Sequence, residues 1–159
     1  MSAPIPLAGI CVVEFTHMVM GPVVGHILAG LGAEVVRIEP IGGDSTRRLK
    51  GSGAGYFPMY NRGKQSICLD LKSAEGVAVA RDLVAQADVL VENFRPGALD
   101  RLGLDYETCA TANPGLVYCS EKGFLPGPYE NRTALDEVAQ MMGGLAYMTG
   151  PPGRPLRAG

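Results

Sequence analysis

Short β-branched runs alternating with helix-compatible stretches predict an α/β fold, a Rossmann-like parallel sheet with flanking helices. Three observations carry this reading. The strand-like runs are apolar almost throughout, as strands covered on both faces are. Each is followed by enough chain for a crossover helix. Gly and Pro mark the joints, as in Gly21-Pro22, Gly32-Ala33 and Pro40.

At 159 residues, 47% hydrophobic and 19% charged, the chain fits one domain with a real core, read here as a single unit over 1–159. Fourteen basic against sixteen acidic residues leave a net charge of −2, which offers no general attraction for nucleic acid or an anionic membrane. Residues 1–6 lack the features of a signal peptide, and the longest apolar helix-like run, 18–31, is interrupted by Gly, Pro and His. Cys11, Cys68, Cys109 and Cys119 form no Cys-x-x-Cys pair, so a thiol-reduced cytoplasmic protein without a metal site is expected.

The elements follow in order. Residues 10–15 read as a first strand, and a helix opens at Gly21-Pro22 and runs to about Leu31. The second strand is 34–39, stopped by Pro40. A long Gly-rich excursion, 41–63, exceeds a simple connection and is expected to be functional or held by a partner. A third strand covers 66–71, and Ser73 starts a helix to about Ala87. The fourth strand, 88–92, hands over to the turn Asn93-Phe94-Arg95-Pro96-Gly97. Short helices over 98–102 and 106–112, a strand over 115–120, a Gly/Pro loop over 123–132 and one helix over 134–148 complete the chain.

Doubly wound sheets bind ligands at the carboxyl ends of their strands, so the loops after Phe15, Glu39, Glu92 and Ser120 are the places to look. The first lacks Gly-x-Gly-x-x-Gly spacing, which disfavours a conventional dinucleotide site, although the helix N-terminus behind it could receive a phosphate. His17 has the chemistry of a general base, but a capping or hydrogen-bonded loop residue is the preferred reading; His26, among apolar neighbours, reads as a core or interface residue. Asn93, Phe94 and Arg95 offer an amide, a ring and a guanidinium, and Arg101 adds a cation one turn beyond Gly97. The same pattern describes a surface turn with solvated arginines. Arg47, Arg48, Lys50, Arg62 and Lys64 form a loose basic cluster around the excursion, of the kind that is usually solvated. Asp136 and Gln140 share a helix face, Thr133 is placed to cap that helix, and Gly143-Gly144 inside it suggests close approach of a ligand or neighbour.

These residues, taken in order, resemble the N-terminal portion of the family III CoA-transferases, the group that includes the CaiB/BaiF-type proteins, formyl-CoA transferases and α-methylacyl-CoA racemases. The resemblance is carried by Leu7-Ala8-Gly9-Ile10 through Gly21-Pro22, by Leu31-Gly32-Ala33-Glu34-Val35-Val36-Arg37-Ile38-Glu39-Pro40, and by Gly43-Asp44. It continues through Lys64-Gln65-Ser66-Ile67, Ala87-Asp88-Val89-Leu90-Val91-Glu92-Asn93-Phe94-Arg95-Pro96-Gly97, Arg101-Leu102-Gly103, Asn113-Pro114, Lys122-Gly123-Phe124 and 140–150. It implies an incomplete Rossmann-like large domain, with the rest of that domain and an interlocking second subunit lying outside this sequence.

By the same resemblance, coenzyme A is a substrate rather than a covalently bound cofactor. It would run past Val19, Met20, Leu69, Lys72, Asn93, Phe94, Arg95 and Arg101, with Lys122 and the supporting acid Asp136 near the acyl end. The implied chemistry moves CoA from an acyl thioester to a free carboxylic acid through an aspartyl anhydride. The nucleophilic aspartate is expected just beyond Gly159, so the chain by itself would be inactive. Leu135 stands where the racemase branch has a histidine, and Val19 and Pro40 stand where the oxalate-type transferases have glutamine and arginine. A small dicarboxylic acid such as succinate is therefore the expected acceptor; the alternatives are a racemase or epimerase of the same superfamily, or a non-catalytic nucleotide-binding module.

Overall fold

The structure, a computed structural model, describes residues 4–158. The chain divides into two compact units, Met1–Glu121 and Lys122–Gly159.

The first unit is built on five parallel strands, β1 (Cys11–Phe15), β2 (Glu34–Glu39), β3 (Gln65–Cys68), β4 (Val89–Glu92) and β5 (Val117–Ser120), in the order β3-β2-β1-β4-β5. Helix α1 (Met20–Gly30) covers one face, where Val24, Leu28 and Ala29 pack on Val12, Val35 and Val91. Helices α3 (Ala74–Ala85) and α4 (Tyr106–Ala112) cover the other, where Ala80, Val84 and Cys109 meet Val13, Phe15, Ile38 and Leu90. Burial on both faces is why the central strands β1, β2 and β4 read as nearly continuous apolar runs. The chain reverses its direction of build between β1 and β4, so the crevice at their carboxyl ends is the topological switch point.

Local signals explain most boundaries. Ser73 caps α3 by accepting the Gly76 N–H at 3.0 Å, and Asp105 does the same for α4 through Thr108. Helix α1 begins at Met20, one residue before the expected Gly21-Pro22; Pro22 falls in the first turn, where its missing N–H costs nothing. Strand β3 stops at Cys68 rather than running to 71, because the Asp70 carboxylate accepts the Lys72 N–H and bends the chain. Over 98–102 only a 3-10 turn forms, Asp100–Leu102, ended by Gly103 at φ 61°.

The 41–63 excursion is more ordered than its composition suggests. It holds two 3-10 turns, Ser45–Arg48 and Gly51–Gly53, and helix α2 (Tyr56–Tyr60). Asp44 caps the first turn through the Thr46 N–H at 2.7 Å.

In the second unit the expected single helix over 134–148 is two, α5 (Asp136–Met142) and α6 (Leu145–Thr149). Gly144 at φ 80° breaks them, a left-handed conformation that glycine adopts without steric cost. Leu135, not Thr133, occupies the N-cap, and no side chain caps α5. No helix among the described residues is long and apolar enough to cross a membrane.

Candidate functional site

The tips of β1 and β4 are joined by one side chain. Asn93, just past β4, accepts the His17 backbone N–H through Oδ1 at 2.8 Å and donates from Nδ2 to the His17 carbonyl at 2.8 Å. One donor and one acceptor of its amide hold the β1–α1 loop, so Asn93 shapes the crevice. Close packing of α1 makes the clasp possible: a Cβ on Gly21 would fall 2.9 Å from Asn93 Cγ and 2.6 Å from Thr16 Cγ2. Met18, next in the loop, sits at φ 63°, a left-handed conformation that costs a non-glycine residue about 1–2 kcal/mol and persists only where surroundings impose it.

Beyond Asn93, the Phe94 N–H is accepted by Glu92 Oε2 at 2.9 Å, and the Phe94 ring is half-buried against the core. Gly97 at φ 76° turns the chain back and leaves room for Arg101, whose Nη1 would lie 3.6 Å from a Cβ there. Arg95 and Arg101 are exposed, and their guanidinium groups make no hydrogen bond or ion pair with another described residue. Met20 is half-exposed at the start of α1 and Val19 is its N-cap, with no side-chain cap bond. Leu69 is half-buried against the core, and Lys72 is exposed.

Behind the β1 and β2 tips lies a buried ionic network that sequence reasoning missed. Arg37, 1% exposed, donates to Glu14 at 3.3 Å, to the Thr16 hydroxyl at 3.1 Å, to the Thr16 carbonyl at 3.1 Å, to Asn61 at 2.8 Å and to Asp44. Lys64 donates to both oxygens of Glu14, at 2.8 and 3.0 Å, and to the Pro22 carbonyl at 2.8 Å. Arg47 grips Glu39 with two parallel bonds of 2.7 and 2.6 Å, and its guanidinium stacks 3.8 Å from the Phe57 ring centre. Lys64 is thus drawn inward by buried Glu14, contrary to the expectation of a solvated cluster; Arg47 stays partly exposed with its head anchored on buried Glu39, and Arg48, Lys50 and Arg62 are exposed as expected. Gly25 is what lets α1 pass over Glu14, since a Cβ there would lie 1.8 Å from Glu14 Oε2.

The network sets the local charges. Burial pushes the Glu14 carboxyl up and the Lys64 ammonium down, with their mutual attraction opposing both. Burial would also raise Glu39, but the bonds from Arg47, Ser66 and the Asp44 N–H outweigh it and hold that carboxyl at about 2. Asp44 is held well below the usual carboxylate range: burial is outweighed by hydrogen bonds from His17 and Thr46. His17 sits at the outer end, its Nδ1 3.1 Å from Asp44 Oδ2, the hydrogen-bonded loop residue of the two sequence alternatives. His26, partly buried in α1, has its Nδ1 3.2 Å from the Arg62 carbonyl. All four cysteines are free thiols, and burial raises Cys11, Cys109 and Cys119, which makes them poor nucleophiles.

Within the second unit, Asp136 and Gln140 meet as their spacing requires, Gln140 Nε2 donating to Asp136 Oδ2 at 2.8 Å. Gln140 also pairs with the backbone of Ala158, donating to its carbonyl at 3.0 Å and accepting its N–H at 2.7 Å. Asp136 is exposed and Lys122 half-exposed.

A parallel sheet in this strand order is an α/β fold of Rossmann-like type, and its switch point carries a clasped loop and two exposed arginines. The profile of CoA-transferase family III matches residues 7–159, and the chain belongs to that family. It is 43% identical to succinate–glutarate CoA-transferase of Agrobacterium fabrum, over 97% of this chain and 42% of that protein. It is 45% identical to acetyl-CoA:oxalate CoA-transferase of Acetobacter aceti, over 97% and 41%. Among solved structures, a CaiB/BaiF family protein from Brucella suis superposes with TM-score 0.89 at 44% identity, over 97% of this chain and 43% of that one. A hypothetical protein from Mycobacterium tuberculosis gives 0.90 at 34% identity, over 99% and 45%. The chain spans about two fifths of the length of the curated relatives it matches.

Proposed function

We propose that this chain contributes the front part of the CoA-binding large domain of a CoA-transferase, which moves CoA from an acyl thioester to a small dicarboxylic acid. The observation that carries the reading is the pair of exposed, unpaired guanidinium groups, Arg95 and Arg101, flanking Gly97 at the β1–β4 switch point. Guanidinium groups without a protein partner suit the phosphates of CoA, and the half-buried Phe94 beside them suits an adenine ring. Val19, Met20, Leu69 and Lys72 would complete the wall. Lys122 and Asp136, from the second unit, are proposed to serve the acyl end.

In the proposed reaction a carboxylate attacks the thioester carbon, the C–S bond breaks, and an acyl anhydride is left with free CoA thiolate. The thiolate attacks the enzyme-side carbonyl of the anhydride, releasing the donor acid as its carboxylate and leaving CoA as a thioester on the enzyme. The acceptor carboxylate attacks that thioester to give a second anhydride and free thiolate, which attacks the acceptor-side carbonyl, forming the new acyl-CoA and freeing the enzyme carboxylate. The dicarboxylate acceptor is supported by the relatives named for succinate, glutarate and oxalate. A cytoplasmic protein that interlocks with a second subunit completes the proposal.

Isothermal titration of CoA into the parent chain and into Arg95→Ala tests it. Loss of a charged phosphate contact predicts binding about 10-fold weaker in the variant. Equal binding, or none in either, removes the assigned role. A chiral 2-methylacyl-CoA incubated in deuterated water without acceptor acid should keep its α-proton, since Leu135 cannot exchange one; deuterium uptake would favour a racemase.

A further inference from the structure

We infer that His17 is a substrate-contacting residue of the same crevice. Its outer ring nitrogen grips a substrate anion, a CoA phosphate or the acceptor carboxylate, and takes up one proton as it does so. The inference rests on the CoA-transferase reading above and extends it to a residue outside the CoA-contact set.

The geometry is that of a held histidine with one open edge. Its backbone is fixed on both sides by Asn93, at 2.8 Å each. The next residue is in the left-handed region. Its Nδ1 lies 3.1 Å from Asp44 Oδ2, and Asp44 is itself immobilised by Arg37, by the Thr46 N–H at 2.7 Å and by the Thr46 hydroxyl at 2.6 Å. Yet the side chain is 46% exposed, and Nε2 bonds to no other described residue. A solvated surface histidine needs none of these restraints. Two restraints on the backbone and one on the exposed ring fix where Nε2 stands.

Asp44 accepts the Nδ1 proton, so in the neutral ring Nε2 carries the lone pair. When an anion arrives, one proton from solvent adds to Nε2 and is shared with the anion, while Nδ1–H stays on Asp44; no covalent bond of the substrate changes. The charged groups around the ring favour this. Asp44, from the loop after β2, faces it directly. Arg37 of β2 lies behind Asp44 and is offset by Glu14 of β1, which Lys64 also pairs. From the β4 side the contact is the neutral Asn93; Glu92 there accepts from Phe94 and Ser120.

The test is calorimetric titration of the full chain with CoA and, separately, with succinate, each in two buffers of different ionisation enthalpy. His17→Asn is the informative variant, because its amide can keep the Asp44 bond while losing the outer nitrogen. The expected result is net proton uptake accompanying anion binding by the parent, read from the difference in apparent binding enthalpy between the two buffers. In His17→Asn that uptake is lost, and affinity for the responding ligand falls about 10-fold at unchanged melting temperature. Uptake with CoA alone assigns the phosphate as the anion; uptake with succinate alone assigns the acceptor carboxylate. If the parent binds CoA and His17→Asn matches it in affinity and proton count, His17 only props Asp44 and the inference falls. If the parent binds neither ligand, both this inference and the CoA-binding reading fall.

Discussion

Replacing Arg47 by leucine should loosen the 41–63 excursion from the sheet, and its cost can be worked from one carboxylate. Glu39 is buried at the end of β2 and held at about 2 against the usual 4.5, which contributes at most about 3 kcal/mol at neutral pH. Arg47 supplies two of the bonds responsible; Ser66 and the Asp44 N–H supply the others and remain in the variant. Arg47 therefore accounts for about 2 kcal/mol, and its stacking on Phe57 for about 0.5–1 more. The expected loss is about 2–3 kcal/mol at pH 7, or about 5–10 °C in melting temperature for a chain of this length. The pH dependence separates charge pairing from packing. A carboxyl with a depressed folded value stabilises above its unfolded value, and that contribution fades as pH falls from 4.5 towards about 2. The gap between parent and Arg47→Leu should thus narrow by roughly a third by about pH 3, measured by urea unfolding. A gap of equal size at both pH values, or a variant as stable as the parent at pH 7, would refute the reasoning.

Other substitutions probe the same region. Lys64→Met leaves buried Glu14 with Arg37 at 3.3 Å and the Thr16 hydroxyl, and urea unfolding should register about 3–5 kcal/mol of destabilisation. Gly25→Ala puts a methyl 1.8 Å from Glu14 Oε2, so melting should fall by the equivalent of about 1–3 kcal/mol although alanine is the better helix former. Asn93→Ala removes both bonds to the His17 backbone; a loss of about 1–3 kcal/mol by urea unfolding and weaker CoA binding by titration are expected.

Much of the fold was legible because both sheet faces are covered: strands such as Val12-Val13 and Leu90-Val91 had to be apolar, and their spacing left room only for crossover helices. The cap at Ser73 was visible for the same local reason that forms it. The break at Gly144 was not, because a glycine pair inside an otherwise helical run permits a left-handed residue without requiring one. At the site, Arg95 in the Asn93–Gly97 turn and Arg101 beyond it were legible by residue type, whereas Asn93's bonds to His17 depend on a residue 76 positions away. The ionic network was missed although it left a trace. Glu14, Arg37 and Glu39 interrupt runs too apolar to be surface strands, and charges in such runs must find partners. Which partners, Lys64 and Asp44 among them, is decided by the order of strands in space.

The central claim is that the β1–β4 crevice holds the nucleotide end of CoA. A crystal structure of the protein soaked with CoA tests it most directly. The account predicts phosphate oxygens within hydrogen-bond distance of Arg95 or Arg101 and the adenine against Phe94. CoA bound on another face of the sheet, with both guanidinium groups still in solvent, would contradict it.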